Sequence, residues 1–478
     1  MTRAHLLTAV FLALGALGCP GKPALSSKAS AASSSATPVA KERPVIILIT
    51  IDTLRPDHMS VYGYARATTP RLKGWAKMAA VFQEAYTYWP KTRGSFVAIM
   101  TGRTAGESGY SPKHPELHAF NPTLAETLQR DGYDTAAFVD NANVSSSLGF
   151  SRGFKTYAQM WADPSLLDEV ARTEEITKRA IEYVRAKGRR DGYFLWLHYV
   201  NPHAPYTPPR PFDRAFPTRE RSDRTLKVVD GFFGGVSRPW AEAMPGRTRL
   251  SDFVNAYDGE IAYVDTQVDE VLRALDANGS LSRSTVIISS DHGESLGEHD
   301  YYFDHGANLF DPVQRIPFIV VGRGATAVRS DVLVSTLDIM PTLLDAARVS
   351  FPSGLAGRSV LPFAAGRKDS TRDTLVGEND RGHQGIWNRR YKLIDTNPGA
   401  IPSVREFYDR AQDPREIRPR SDLNEVMKAY TAGLDEYRDI ELRSGLRTRL
   451  QLEGKASPPQ SRAECEQLKA MGYVAECR

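Results

Sequence analysis

The amino-acid sequence predicts an α/β fold, a large, mostly parallel sheet sandwiched by helices, followed by a small C-terminal α+β subdomain. Three observations predict it. Two near-continuous apolar runs rich in β-branched residues, Val45 to Ile51 and Val286 to Ser290, each close on an aspartate, Asp52 and Asp291. Runs of that length suit strands buried on both faces of a parallel sheet. From Pro44 onward, strand-like and helix-like segments alternate, the pattern of a sheet with helices on both faces. Near Ser359 to Arg367 the character changes. Tyr391-Lys392-Leu393-Ile394 and Glu406-Phe407-Tyr408-Asp409 follow, then a polar helical stretch around Leu423 to Leu442.

Taken in order, Leu72 to Phe82 and Thr123 to Gln129 read as amphipathic segments, and Thr135 to Val139 and Tyr193 to Tyr199 as buried strands. Leu166 to Ala186 reads as a long charged helix covering a sheet face. Ser251 to Asp276 reads as another, with Tyr257, Ile261, Val264, Val268 and Leu272 along one stripe. Pro317 to Gly322 is a further apolar strand, and Leu337 to Ala347 a helix carrying Pro341. Pro205 to Thr248 breaks the rhythm, being rich in Pro, Arg, Gly and aromatics. Long irregular insertions of this kind are binding loops or plain surface excursions. There are no evident repeats.

The 478 residues suffice for one large domain plus a smaller one. A net charge of +4, from 61 basic and 57 acidic residues, argues against a dedicated nucleic-acid binder. Arg219 to Arg224 is interrupted by acidic residues and reads as solvated surface. Arg3 and His5 precede an apolar stretch from Leu6 to Gly18, too short to span a bilayer. Residues 1–18 therefore read as an export signal. Ala16, Gly18 and Cys19 approximate a bacterial lipobox, with Ala16 where leucine is usual. Cys19 is the expected lipidation site, which would anchor the chain to the cell envelope at the membrane's periplasmic or outer face; the alternative is ordinary cleavage nearby. Pro20 to Lys41 is a Ser-, Ala-, Pro- and Lys-rich tether that cannot bury a core. The remaining organisation is a main domain over 44–365 and a subdomain over 366–478. Apart from Cys19, the sequence contains only Cys465 and Cys477, either a disulfide in an oxidising compartment or two free thiols.

In open α/β sheets chemistry collects at the carboxyl ends of strands. Asp52 and Asp291, delivered by two distant strands to one edge, describe a divalent-metal site of hard oxygen ligands. A third segment, Thr87 to Arg103, reads as a loop running into a helix start, where backbone amides favour an anion.

At that point several motifs align in order: "ITIDTLRPDHMSVYGY" around Asp52, the loop ending in Thr101-Gly102-Arg103, "NPHAPY" from Asn201, "SSDHGESLGEH" from Ser289 and "DHGANLFDPVQRIP" from Asp304. "LDIMPTLLD" from Leu337, "LAGRSVLP" from Leu355, "FYDRAQDPRE" from Phe407 and "LKAMGYV" near the C-terminus follow. Together they resemble the sulfatase family of the alkaline phosphatase superfamily, from Pro44 to the end. The resemblance implies an ester hydrolase or transferase with one divalent cation held by Asp52, Asp291 and His292. Mn, Zn, Ca and Mg are the candidates, and the imidazole favours Mn or Zn over Ca. Thr53 stands where the family often has a second aspartate.

The chain departs from the family at the nucleophile. Sulfatases use a cysteine or serine oxidised to formylglycine, followed by proline and arginine. Here that position is Thr92, with Gly94 for the proline and Phe96 for the arginine, and threonine cannot become formylglycine. The lysine and histidine expected after Gly132-Tyr133 are replaced by Asp140, Asn141, Ala142 and Asn143. A threonine can still attack through an alkoxide, as in the similar phosphoethanolamine transferases and lipoteichoic acid synthases. Thr92 is thus the expected nucleophile, the competing reading being a helix cap, with Ser95 as fallback. His203 and His305 match positions that contact the transferred group or the leaving oxygen; either is otherwise a buried, hydrogen-bonded histidine. His198 reads as structural, His299 as loop, and Asp57-His58 as either. Lys91 and Arg93 offer replacement cations or surface charge, and Asp265 reads as pairing with a basic neighbour on its own helix. The substrate class is sulfuric, phosphoric or phosphonic esters of small molecules, glycans or lipids, with the loss of cations leaning toward phosphorus. The alternative is a catalytically silent binding protein that keeps the fold.

Overall fold

The computed structural model describes residues 43–188, 192–217, 223–369, 371–398, 404–452, 461–474 and Cys477. The export signal, Cys19 and the tether lie outside the described residues. Eight strands make the main sheet: β1 (Val45–Ile51), β2 (Ala80–Tyr86), β3 (Asp134–Val139), β4 (Thr156–Gln159), β5 (Tyr193–Tyr199), β6 (Ser284–Ser289), β7 (Phe318–Gly322) and β8 (Val328–Ser335). Their spatial order is β8-β2-β7-β6-β1-β5-β3-β4. Only β7 runs antiparallel to its neighbours, so the sheet is mostly parallel, as expected.

β1, β5 and β6 are buried along their whole length, which is why they read as continuous apolar runs. Within β1 the side chains still alternate. Ile46 and Leu48 enter one core with α1 (Thr92–Thr101) and α4 (Ile339–Ala347), whereas Val45, Ile47, Ile49 and Ile51 enter the other with α2 (Glu169–Lys187) and α3 (Leu250–Ala277). Each fully buried aliphatic side chain contributes roughly 1.5–3 kcal/mol, so strand register is tightly specified. Thr50 pairs with Ser289 and Ile51 with Tyr199, so β1, β5 and β6 end level at one edge.

The C-terminal part is an antiparallel meander of β9 (Leu375–Glu378), β10 (Gln384–Trp387), β11 (Tyr391–Asp395) and β12 (Arg405–Asp409), followed by α5 (Asn424–Leu452) and α6 (Arg462–Ala470). The described residues form one compact unit. The fully buried Lys392 ties the meander to the main domain, with Nζ 2.7 Å from both Asp311 and Glu416.

Two sequence readings are corrected. Leu72 to Phe82 is not one amphipathic segment: a helix over Pro70–Trp75 and a 3-10 turn give way at Ala80 to β2. Asp265 does not pair on its own helix. Its carboxylate accepts from the backbone N–H of Arg71 and Leu72 at 2.9 Å, capping the Pro70–Trp75 helix from outside.

α5 docks in part through a half-buried acidic contact. Thr104 Oγ1 and the Gly106 N–H each donate to Glu441 at 2.6 Å. Burial, then the nearby Glu378 carboxylate, push Glu441 up to about 7 from an ordinary 4.5. Glu107 also faces it, and Tyr88 and Tyr437 hydroxyls line the contact around Glu378. A pKa raised on folding stabilises fully below the unfolded value and is lost as pH rises through the folded one. Amide exchange in α5, corrected for intrinsic rates, should therefore be less protected at pH 8 than at pH 6. Glu441→Gln should flatten that difference; an unchanged difference would refute the assignment.

Candidate active site

The level strand ends bring the expected metal ligands together. Asp52 follows β1, and Asp291-His292 follows β6. One ligand atom from each lies within 4.8 Å of the others, and all three side chains are fully buried. His292 Nε2 is 3.6 Å from Asp52 Oδ1 and 3.3 Å from Asp291 Oδ2. His292 Nδ1 lies 2.9 Å from the Gly293 carbonyl. A carbonyl only accepts, so Nδ1 carries the proton and Nε2 turns a lone pair toward the two carboxylates. Such a backbone partner orients a ligating imidazole. Asn141 Nδ2 donates to Asp52 Oδ2 at 2.7 Å.

The residues fit a cation. Asp52 Oδ1, both Asp291 carboxylate oxygens, Thr53 Oγ1, His198 Nε2 and His203 Nε2 are buried with no hydrogen-bond partner among the described residues. Buried acidic oxygens left unpaired are costly, and a divalent ion satisfies several at once. Burial and the neighbouring Asp291 push the Asp52 carboxyl well up; burial also raises Asp291. Burial lowers His292 to about 3 and His198 and His203 to about 4. The imidazoles are neutral at pH 7, the ligating form; a bound cation would pull the carboxyls back down.

Thr92 is the first residue of α1, and Lys91 occupies the cap position without a side-chain hydrogen bond to the helix. The helix-cap reading of Thr92 therefore does not hold. Thr92 Oγ1 lies 3.1 Å from His292 Nε2 and 2.8 Å from Tyr473 Oη. Gly94 is explained by packing, since a Cβ there would lie 2.5 Å from the Trp89 indole. Phe96 packs on Trp196 and His198. Ser95 Oγ donates to the Asp291 carbonyl at 2.7 Å, which commits it to holding that loop.

His203 and His305 reach the same place, with ring centres 5.2 Å apart; the His292 and His305 rings are 4.0 Å apart. His203 Nδ1 is 2.6 Å from the Ala204 carbonyl, so its free Nε2 is an acceptor. His305 sits with Nδ1 3.3 Å from Glu294 and Nε2 2.9 Å from Tyr473 Oη. Lys91 and Arg93 are engaged, Lys91 with Asp380 at 2.9 Å and Arg93 with Asn143 at 3.0 Å. Asp140 is held by Arg172 at 2.9 Å. His299 stacks on Phe310, Asp57 pairs with Arg55, and His58 bonds Asp258.

Four residues have a larger part here than the sequence assigns them. His198 Nε2 lies 3.8 Å from Asp52 Oδ2, so this strand histidine faces the centre. Asn141, noted only as replacing a family cation, orients Asp52. Glu294 and Tyr473 lie within "SSDHGESLGEH" and "LKAMGYV", where residue spacing alone assigns them no role. Cys465 and Cys477 are disulfide-bonded, with Cα atoms 5.6 Å apart.

The family described as Sulfatase matches residues 44–349, and that described as N-sulphoglucosamine sulphohydrolase, C-terminal, matches residues 297–438. An arylsulfatase of Clostridium perfringens is 24% identical over 439 residues, covering 78% of this chain and 89% of its own. A Delta 4,5-hexuronate-2-O-sulfatase of Bacteroides thetaiotaomicron is 24% identical over 453 residues, covering 83% and 89%. The phosphonate monoester hydrolase of Agrobacterium radiobacter shares the fold at a TM-score of 0.69 and 19% identity, covering 84% of this chain and 96% of that one. With one such match running from the first strand through the helix after β8, the chain belongs to the sulfatase family, as a sulfatase-like ester hydrolase.

Proposed function

We propose that this protein is an exported, lipid-anchored hydrolase of sulfuric, phosphoric or phosphonic esters that works through a covalent intermediate on Thr92. The observation that supports it best is the placement of Thr92 Oγ1 beside His292 at the ring of unpartnered carboxylate oxygens. A divalent cation held by Asp52, Asp291 and His292 would supply Lewis-acid chemistry at that point. Thr92 Oγ1 gives up its proton to solvent and forms a bond to sulfur or phosphorus while the bond to the ester oxygen breaks; that oxygen leaves with the electron pair and takes up a proton from water. Water then resolves the intermediate. His203 is held in the tautomer whose Nε2 accepts, so it suits taking the proton of that water. Donation to the leaving oxygen, the role implied by the family, would need Nε2 to be protonated first.

The silent-protein reading is disfavoured by the same orphaned oxygens, which a mere scaffold would have no reason to retain unpaired. Lys91 is paired with Asp380 although its Nζ lies 5.7 Å from the Tyr473 ring centre; Phe96 and Asp140 to Asn143 stand where the family's other cations are implied, which favours phosphate diesters and phosphonate monoesters. Relatives named for aryl and hexuronate sulfatase activity suggest an aromatic or sugar alcohol on the other side. The test is a panel of 4-nitrophenyl sulfate, 4-nitrophenyl phosphate, bis(4-nitrophenyl) phosphate and 4-nitrophenyl phenylphosphonate with Mn²⁺, Zn²⁺, Ca²⁺ and Mg²⁺. Fastest turnover is expected on the diester or phosphonate with Mn²⁺ or Zn²⁺. Preferential sulfate turnover would reject the phosphorus reading. For the anchor, Cys19→Ser should move the protein from the membrane to the soluble fraction of the envelope; unchanged fractionation would exclude lipidation at Cys19.

A further inference from the structure

The C-terminal tail places a phenol at the centre of the site. Tyr473 Oη is 2.8 Å from Thr92 Oγ1 and 2.9 Å from His305 Nε2, and its ring centre lies 5.7 Å from that of His203. Three devices hold it there. α6 is docked by Gln467, which accepts from the Ala142 N–H at 2.6 Å, and by Glu464, which accepts from Ser147. α6 ends in a paired turn, with Tyr473 N–H donating to Leu468 at 2.8 Å and Gly472 N–H to Lys469 at 3.0 Å. Gly472 has φ +75°, and a Cβ there would meet Trp240 at 2.9 Å, so the turn needs glycine. Beyond Tyr473, the Cys465–Cys477 disulfide ties the tail back to α6. The stretch α6 docks on, Ala142 to Ser147, includes positions where the family's lysine and histidine are missing.

Resting on the reading of Thr92 as nucleophile, we propose that Tyr473 is a catalytic residue, an uncharged hydroxyl that hydrogen-bonds an oxygen of the transferred group in place of those missing cations. The disulfide loop is the positioning element that keeps it in reach. In the free enzyme the phenol bonds Thr92 and His305. With ester bound, its hydroxyl turns to a non-bridging oxygen of the group on Thr92. A tail that merely plugs the site would instead compete with substrate.

The test uses the full chain with bis(4-nitrophenyl) phosphate and Mn²⁺. Tyr473→Phe keeps the ring and loses the hydroxyl, and kcat should fall about tenfold to a hundredfold, the loss of one hydrogen bond to a charged group. KM should move little, and α6 amide exchange should stay unchanged. Cys465→Ser/Cys477→Ser should give a similar fall in the wild-type background but little further loss on Tyr473→Phe, because both act through one hydroxyl. Unchanged kcat in Tyr473→Phe overturns the proposal, and a raised kcat makes the tail a plug. Additive losses from the two changes overturn the disulfide's role. Thr92→Ala run alongside separates the readings: if it is inactive while Tyr473→Phe is fully active, only the tyrosine proposal fails, whereas an active Thr92→Ala removes the nucleophile itself.

Discussion

Thr92→Ala should reduce turnover of the preferred ester by a factor on the order of 10³ or more, with the fold unchanged. The lost group is the attacking oxygen, and replacing a nucleophile removes the covalent route entirely, leaving only binding and electrostatics. Stability should fall by only about 1–2 kcal/mol, because alanine keeps the backbone and Cβ of the buried Thr92 and loses one methyl and two hydrogen bonds, to His292 and Tyr473. Thr92→Ser keeps the hydroxyl and should retain activity within about tenfold. Ser95 cannot stand in for it, since its hydroxyl is spent on the Asp291 carbonyl. Intact mass after acid quench should show an adduct of the transferred group on the Thr92 peptide in wild type and none in Thr92→Ala. In the untreated protein that peptide should carry unmodified threonine. Full turnover by Thr92→Ala, or an adduct mapped elsewhere, would end the assignment.

The sheet was legible because its central strands are buried on both faces, leaving uninterrupted apolar runs that end at the site. Asp52 and Asp291 were visible for the same reason, as the first hard ligands after such runs. His198 was missed because strand alternation reports only a shared face. That face here carries both core residues, such as Trp196, and an imidazole turned to Asp52. The error over Leu72 to Phe82 has a local cause: a short helix passes into a strand through a 3-10 turn, Ala76–Met78, with no glycine or proline between Trp75 and Ala80, so one apolar pattern hid two elements. Asp265 misled because a carboxylate on a helix is ordinarily paired along that helix, whereas this one caps a neighbouring helix nearly two hundred residues earlier. Tyr473 lay beyond sequence reasoning because only the docking of α6, its terminal turn and a disulfide bring it to Thr92. Nothing in residue spacing reports a contact across 381 positions.

The second large effect concerns the charge of the centre, and it is expected to change sign with the ion. Without a cation, Asp52 and Asp291 are two buried acids whose ionised forms repel each other in a site that offers them few donors. Replacing one acid by its neutral isostere should relieve that repulsion, so Asp291→Asn should melt higher than wild type after chelation, by about 1–3 kcal/mol of stability. With a cation bound, the order should reverse. Wild type gains about 2.7 kcal/mol at a free ion concentration ~100 times the dissociation constant, whereas Asp291→Asn has lost a charged ligand and gains much less. Activity should follow the metal: chelation should abolish turnover, readdition of Mn²⁺ or Zn²⁺ should restore it in wild type, and Asp291→Asn should stay near background. Melting curves of both proteins, with chelator and with each of Mn²⁺, Zn²⁺, Ca²⁺ and Mg²⁺, read this out without any assay of activity. A wild type whose melting ignores all four ions, or an Asp291→Asn variant that is the less stable protein both with and without them, would mean that these carboxylates do not hold a metal.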